Sequence, residues 1–199
     1  MKEAPLTLYV VDDDEALRRS LLLLLFSQGL AVQAFESGEA FLEAVDLQQP
    51  GCVILDLRMG AMSGLAVFEH MRSKHSPLVT VFLSGHGDIP TALEAVRNGA
   101  YDWVQKPDTQ QLLDKLPAAI VEARARGQAL RMWQELTTRE REVARLVGLG
   151  QPNKEIARVL VPPCGPRSVE THRANIFNKL QCANDNELGR WLAAHPWLG

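Results

Sequence analysis

Through the first 125 residues, short apolar runs alternate with segments whose apolar positions recur every three to four residues. Leu6–Val11, Ala31–Phe35, Cys52–Asp56, Val79–Ser84 and Asp102–Gln105 have the length and the Val, Ile and Phe content of buried strands. Between them, Glu15–Gln28, Gly38–Val45, Gly64–Ser73 and Asp88–Asn98 carry helical periodicity, and Thr109–Arg124 supplies a fifth helix. This alternation predicts an α/β fold with a doubly wound, parallel five-stranded sheet and helices on both faces. Sheets of that kind present their functional groups at the carboxyl ends of the strands.

The pattern changes towards the second half. Pro117 lies inside the fifth helical segment, where its missing N–H favours a kink. Residues 118–135 are rich in Ala, Arg, Leu and Glu and read as a helical linker. Beyond Leu136 the strand signals stop. Thr137 and Glu140 form a capping box, and its helix buries Val143, Leu146 and Val147. Segments Asn153–Leu160, Pro166–Leu180 and Asn184–Ala194 complete a small all-α domain. The predicted organisation is a first domain over 1–125, the linker, and a second domain over 136–199.

Composition narrows the classes. Hydrophobic content of 46% and charged content of 23% are ordinary for a globular chain. Cys52, Cys164 and Cys182 are odd in number and form no C-x-x-C pair, so neither a disulfide framework nor a zinc site is expected, and a cytoplasmic location fits. Met1–Pro5 runs into a strand without a secretory pattern, and the apolar run Leu21–Phe26 is too short to span a bilayer, so no membrane association is expected. Net charge is −3 overall, with 11 Lys/Arg against 17 Asp/Glu in residues 1–126 and 9 against 6 in residues 136–199. An acidic front and a basic back point to a polyanion as partner of the back half.

The positions of the acids add chemistry. Asp12, Asp13 and Asp14 follow the first strand, Asp56 ends the third, Ser84 ends the fourth, and Lys106 follows the fifth. Asp14 reads as the cap of the following helix. The remaining carboxylates converge on one sheet edge, where mutual repulsion calls for a hard cation, and magnesium suits oxygen ligands. A carboxylate nucleophile, a metal, a lysine and a hydroxyl are what phosphoryl transfer to an aspartate requires.

The segments VVDDDEALRRSL, ILDLRMGAMSG, FLSGHGDIPTALEAVRNGA and YDWVQKP resemble the response-regulator receiver family over residues 5–125, and SGHGDIP is similar to its FixJ-type subgroup. The resemblance implies a flavodoxin-like receiver with Asp56 as phosphoacceptor and Lys106 as phosphoryl partner. It implies that Asp12, Asp13, Asp56 and the Arg58 backbone carbonyl hold magnesium. Ser84 becomes the switch hydroxyl and Trp103 the switch aromatic. It also implies a sensor histidine kinase as partner and a homodimer formed on phosphorylation through the face of the fourth helix, fifth strand and fifth helix. Two positions depart from the family. Met59-Gly60 stands where Met-Pro is usual, and Gly60 is expected to loosen the loop beside Asp56; Asp108 adds negative charge near the dimerising face.

LTTREREVARLVGLGQPNKEIARVL and SVETHRANIFNKL resemble the LuxR-type helix-turn-helix. Val169, Ile176 and Leu180 form the apolar stripe of the helix from Pro166, and its polar face suits the major groove. The resemblance implies contacts to double-stranded promoter DNA from Lys154, Arg167, Ser168, Thr171, His172, Arg173, Asn175 and Lys179, with RNA polymerase as a further partner. The turn VPPCGPR is about two residues longer than the family's and is expected to shift the recognition helix. The expected function is a phosphorylation-controlled transcription regulator; no nucleotide loop or second substrate site marks an enzyme beyond the receiver's own phosphotransfer and slow dephosphorylation. The alternative is a signalling adapter whose helical module binds protein. A salt-sensitive mobility shift separates the two.

Overall fold

A computed structural model describes residues 6–85 and 89–198, with the side chains of residues 84, 89 and 92 outside the described set. The chain divides into two compact units, Met1–Gly127 and Gln128–Gly199. In the first, β1 (Thr7–Val11), β2 (Ala31–Phe35), β3 (Gly51–Asp56), β4 (Val79–Ser84) and β5 (Asp102–Gln105) form a parallel sheet in the order β2-β1-β3-β4-β5. They alternate with α1 (Glu15–Ser27), α2 (Gly38–Ala44), α3 (Gly64–Ser73) and α4 (Ile89–Arg97).

The period of two along each strand divides the core. Tyr9, Val11, Val53 and Leu55 point to one face with Phe41, Val67, Phe68, Met71 and Ala95 from α2, α3 and α4. Leu8, Val10, Cys52 and Ile54 point to the other, with Leu21 and Leu25 from α1 and Leu112, Leu116, Ala119 and Ala123 from α5 (Thr109–Gln134). Every residue of β3 is buried, as a central strand covered on both faces must be. This is the doubly wound sheet the sequence predicts. Strand and helix limits move by a residue or so; the segment at 86–88, where the fourth helix was expected to start, lies outside the described residues.

α5 is one helix of 26 residues with Pro117 inside it, where the sequence suggests a kinked helix and a separate linker. The stripe Leu112, Leu116, Ala119 and Ala123 is buried on the sheet, and that burial outweighs the lost hydrogen bond at Pro117. Farther along, Leu130 and Trp133 enter the core of the second unit.

That unit holds α6 (Thr138–Gly148), α7 (Asn153–Val159), α8 (Pro166–Leu180) and α9 (Asp185–Ala194), closed by a 3-10 turn at Pro196–Leu198. The capping box is present: Thr137 Oγ1 accepts from Glu140 N, and Glu140 Oε2 accepts from Thr137 N at 2.8 Å. Val143, Val147, Ile156, Val169, Ile176, Leu180 and Leu188 form the core, and the 3-10 turn, unforeseen from sequence, adds Leu198. Among the described residues, no helix is long and apolar enough to cross a membrane.

Candidate functional site

The carboxyl ends of β1, β3 and β5 bring the acids and the lysine together. Asp12 is fully buried, Asp56 is 5% exposed and Asp13 is exposed. One oxygen from each lies within 4.8 Å of the others. Lys106 Nζ sits 2.7 Å from Asp12 Oδ2 and 2.9 Å from Asp56 Oδ2. Backbone ties fix the carboxylates: Asp12 Oδ1 accepts from Asp14 N at 2.9 Å, and Arg18 donates to the Asp12 carbonyl at 2.7 Å. Asp14, in turn, caps α1 by accepting from Ala16 N and Leu17 N, as its position predicts.

Burial pushes the Asp56 carboxyl above its ordinary pKa; hydrogen bonding from Lys106 opposes this, the Asp12 charge adds to it, and the Arg58 backbone N–H opposes it again. Burial also acts against the Lys106 ammonium. Its pairing with Asp12 and Asp56 outweighs that effect and holds its pKa above the ordinary value. Three carboxylates against one ammonium leave the pocket short of positive charge. Among the described residues, the buried Asp12 Oδ2 meets Lys106 as an ion pair and has no further partner. The residues therefore fit a hard divalent cation.

Ser84 closes β4 opposite Gln105, next to the Asp56–Leu83 pair, and its side chain is outside the described set. Trp103 is half-buried and packs on the face shared by α2, α3 and α4. Its carbonyl accepts from Lys115 Nζ at 3.0 Å, and Lys115 also pairs with Asp102 at 2.7 Å. Sequence reading missed Lys115, because only packing of α5 on β5 brings the two together. Asp108 accepts from Gln111 N at 2.8 Å, so this acid caps α5 as well as charging the surface. Gly60 is exposed, and a Cβ there would meet nothing within 4 Å. Gly64, also missed, matters more: a Cβ would lie 1.9 Å from the Asp56 carbonyl oxygen.

In the second unit, Arg167, Ser168, Thr171 and Asn175 lie exposed along α8, with Lys154 exposed on α7 and His172 half-buried. Two of the cations expected to meet DNA are engaged within the unit. Arg173 pairs with Asp185 and donates to the Gln151 carbonyl at 2.9 Å, while Lys179 pairs with Glu140 at 2.8 Å. Arg173 shares helical spacing with Val169, Ile176 and Leu180, which places it on the core-facing side of α8. The long turn is held by Arg139, which donates to the Val161 carbonyl at 3.3 Å and to the Pro162 carbonyl.

Residues 8–117 match the response regulator receiver domain, and residues 134–192 match the luxR family of bacterial regulatory proteins. The chain is 38% identical over 188 residues to the tetrathionate response regulatory protein TtrR of Salmonella typhimurium, covering 92% of this chain and 90% of that one. It is 38% identical over 192 residues to the transcriptional regulatory protein FixJ of Bradyrhizobium diazoefficiens, covering 92% of each. The crystal structure of full-length FixJ from B. japonicum aligns with a TM-score of 0.58 at 35% identity, covering 97% of this chain and 98% of that one. The chain belongs to the response regulators that carry a receiver domain and a LuxR-family DNA-binding domain.

Proposed function

We propose that Asp56 accepts a phosphoryl group from a sensor histidine kinase and thereby controls DNA binding by the second unit. Transcription regulation by phosphorylation follows from the family, which comprises regulators rather than enzymes; its LuxR-family half gives the adapter alternative no support. The observation that carries the assignment to Asp56 is its buried carboxylate, 2.9 Å from Lys106 and grouped with Asp12 and Asp13. An Asp56 oxygen attacks the donor phosphorus, the bond from phosphorus to the kinase histidine breaks, and an acyl phosphate forms. Lys106 offsets charge on the phosphoryl oxygens. Magnesium, held by Asp12, Asp13, Asp56 and the Arg58 carbonyl, supplies further positive charge there when bound. Ser84 then turns to the phosphoryl group and Trp103 shifts, which reshapes the face of α4, β5 and α5 for homodimer formation.

Residues 1–125 act as receiver, 118–135 as helical linker and 136–199 as output, in the cytoplasm. Lys154, Arg167, Ser168, Thr171, His172 and Asn175 contact promoter DNA, and the bound dimer presents a surface to RNA polymerase. Acetyl phosphate with magnesium tests the chemistry directly. One added phosphoryl group is expected by intact mass, and none in Asp56→Asn or in excess chelator. Equal labelling of Asp56→Asn sinks the assignment.

A further inference from the structure

The last carbonyls of any helix lack intrahelical donors, and at the end of α5 they are met by cations from elsewhere in the second unit. Arg141 of α6 donates to the Trp133 carbonyl at 3.2 Å and to the Gln134 carbonyl at 3.3 Å. The next carbonyl, of Glu135, accepts from Lys179 Nζ at 3.0 Å. Lys179 stands at the end of α8, between Ile176 and Leu180 of the core. The same ammonium pairs at 2.8 Å with Glu140 Oε2, which also accepts the Thr137 N–H of the capping box. Glu140 is almost fully covered, with 4% of its side chain exposed, so its charge has Lys179 as counter-ion and little water.

We infer that Lys179 is a positioning residue: it ties the carboxyl end of the recognition helix to the junction where α5 ends and α6 begins, and thereby aims the exposed row Arg167, Ser168, Thr171 and Asn175 without touching DNA. The inference rests on the DNA-binding role of α8. A lysine whose ammonium holds both a buried carboxylate and a helix-terminal carbonyl has little of its donor capacity left for a phosphate. Its removal leaves Glu140 buried without its charge partner and one end of α8 untethered. Base contacts depend on helix placement, whereas the counterion-release part of binding depends on how many phosphates are neutralised. A positioning lysine and a phosphate-binding lysine therefore leave different signatures.

The test uses the full chain and two probes: a duplex selected by the wild type from a random-sequence pool, and a scrambled duplex of the same composition. Dissociation constants are measured across a salt series for wild type, Lys179→Met, Lys179→Arg and, as phosphate-contact control, Arg167→Met. Lys179→Met is expected to weaken binding to the selected duplex by about tenfold. Its affinity for the scrambled duplex and its salt slope stay at wild-type values, and Lys179→Arg recovers most of the loss. A fall of about 0.9 in the slope, with both duplexes weakened alike, makes Lys179 a phosphate contact and overturns the proposal; so does wild-type behaviour on both. Thermal unfolding of Lys179→Met, Glu140→Gln and the double variant supplies a measure independent of DNA. Additive shifts in midpoint show that the tie is absent and overturn the proposal even where the wild type binds no duplex, an outcome that would itself sink only the DNA-binding role.

Discussion

Gly64 occupies a place with no room for a side chain, since a Cβ would lie 1.9 Å from the Asp56 carbonyl oxygen. Its own N–H donates to the Leu57 carbonyl at 3.1 Å, so the start of α3 is pressed against the strand end that carries Asp56. Gly64→Ala must push α3 or Asp56 aside, at a cost of roughly 1–3 kcal/mol. The expected result is a lower unfolding midpoint together with slowed labelling of Asp56 by acetyl phosphate; unchanged labelling would show that the displacement stays in α3. Asp12, Asp14, Asp56 and Lys106 were legible in the sequence because strand ends of a parallel sheet fall at positions that apolar runs reveal. Gly64 was not, because its closeness to the Asp56 carbonyl exists only once α3 has packed. Asp108 marks a middle case: its negative charge was legible, but its capping bond to Gln111 depends on where α5 begins.

Two elements carry their own tests. Pro117 is exposed inside α5 and leaves the Leu113 carbonyl without its usual donor, while Leu116 and Ala119 beside it hold the helix on the sheet. Pro117→Ala restores the donor and is expected to stabilise the first unit by about 1–3 kcal/mol, read by chemical denaturation. A loss of stability would mean that the helix depends on the proline. From sequence alone, a proline weighs against helix; the buried stripe that overrides it becomes decisive only against a sheet face already in place. The start of α6 is pH-sensitive. Burial acts to raise the Glu140 pKa, but Lys179 and the Thr137 N–H outweigh it and hold the folded value below the ordinary 4.5. A depressed carboxyl contributes stability that is complete above about pH 4.5 and fades as pH falls through the lower, folded value. The second unit should therefore lose midpoint in acid below pH 4.5, and Glu140→Gln should flatten that dependence. The Thr137–Glu140 box was legible because it is local. The bond from Glu140 to Lys179 was not, since it joins residues 39 apart.

For the whole molecule, the basic surplus of the second half is smaller in effect than it looks. Of its nine Lys and Arg, Arg139, Arg158, Arg173 and Lys179 are paired with Glu142, Glu155, Asp185 and Glu140. Arg141 serves the end of α5, and Arg145 lies over the Trp133 ring. Among the described residues, Lys154, Arg167 and Arg190 are the exposed cations of this half with no such engagement. Charge counting showed the sign of the partner but not the number of phosphates met, because pairing is a property of the fold. With at most three phosphates neutralised per protomer, log K should fall with log salt concentration at a slope of about −2.7 or shallower. Phosphorylation that seats two protomers on one duplex doubles that slope, to about −5, whereas a conformational change within one protomer raises affinity and leaves the slope alone. Titrating a selected duplex with the chain before and after acetyl phosphate treatment, over a salt series, separates the two. A steeper slope appearing only with Asp56 intact supports the homodimer; a higher affinity at constant slope rules it out as the route from acceptor to DNA.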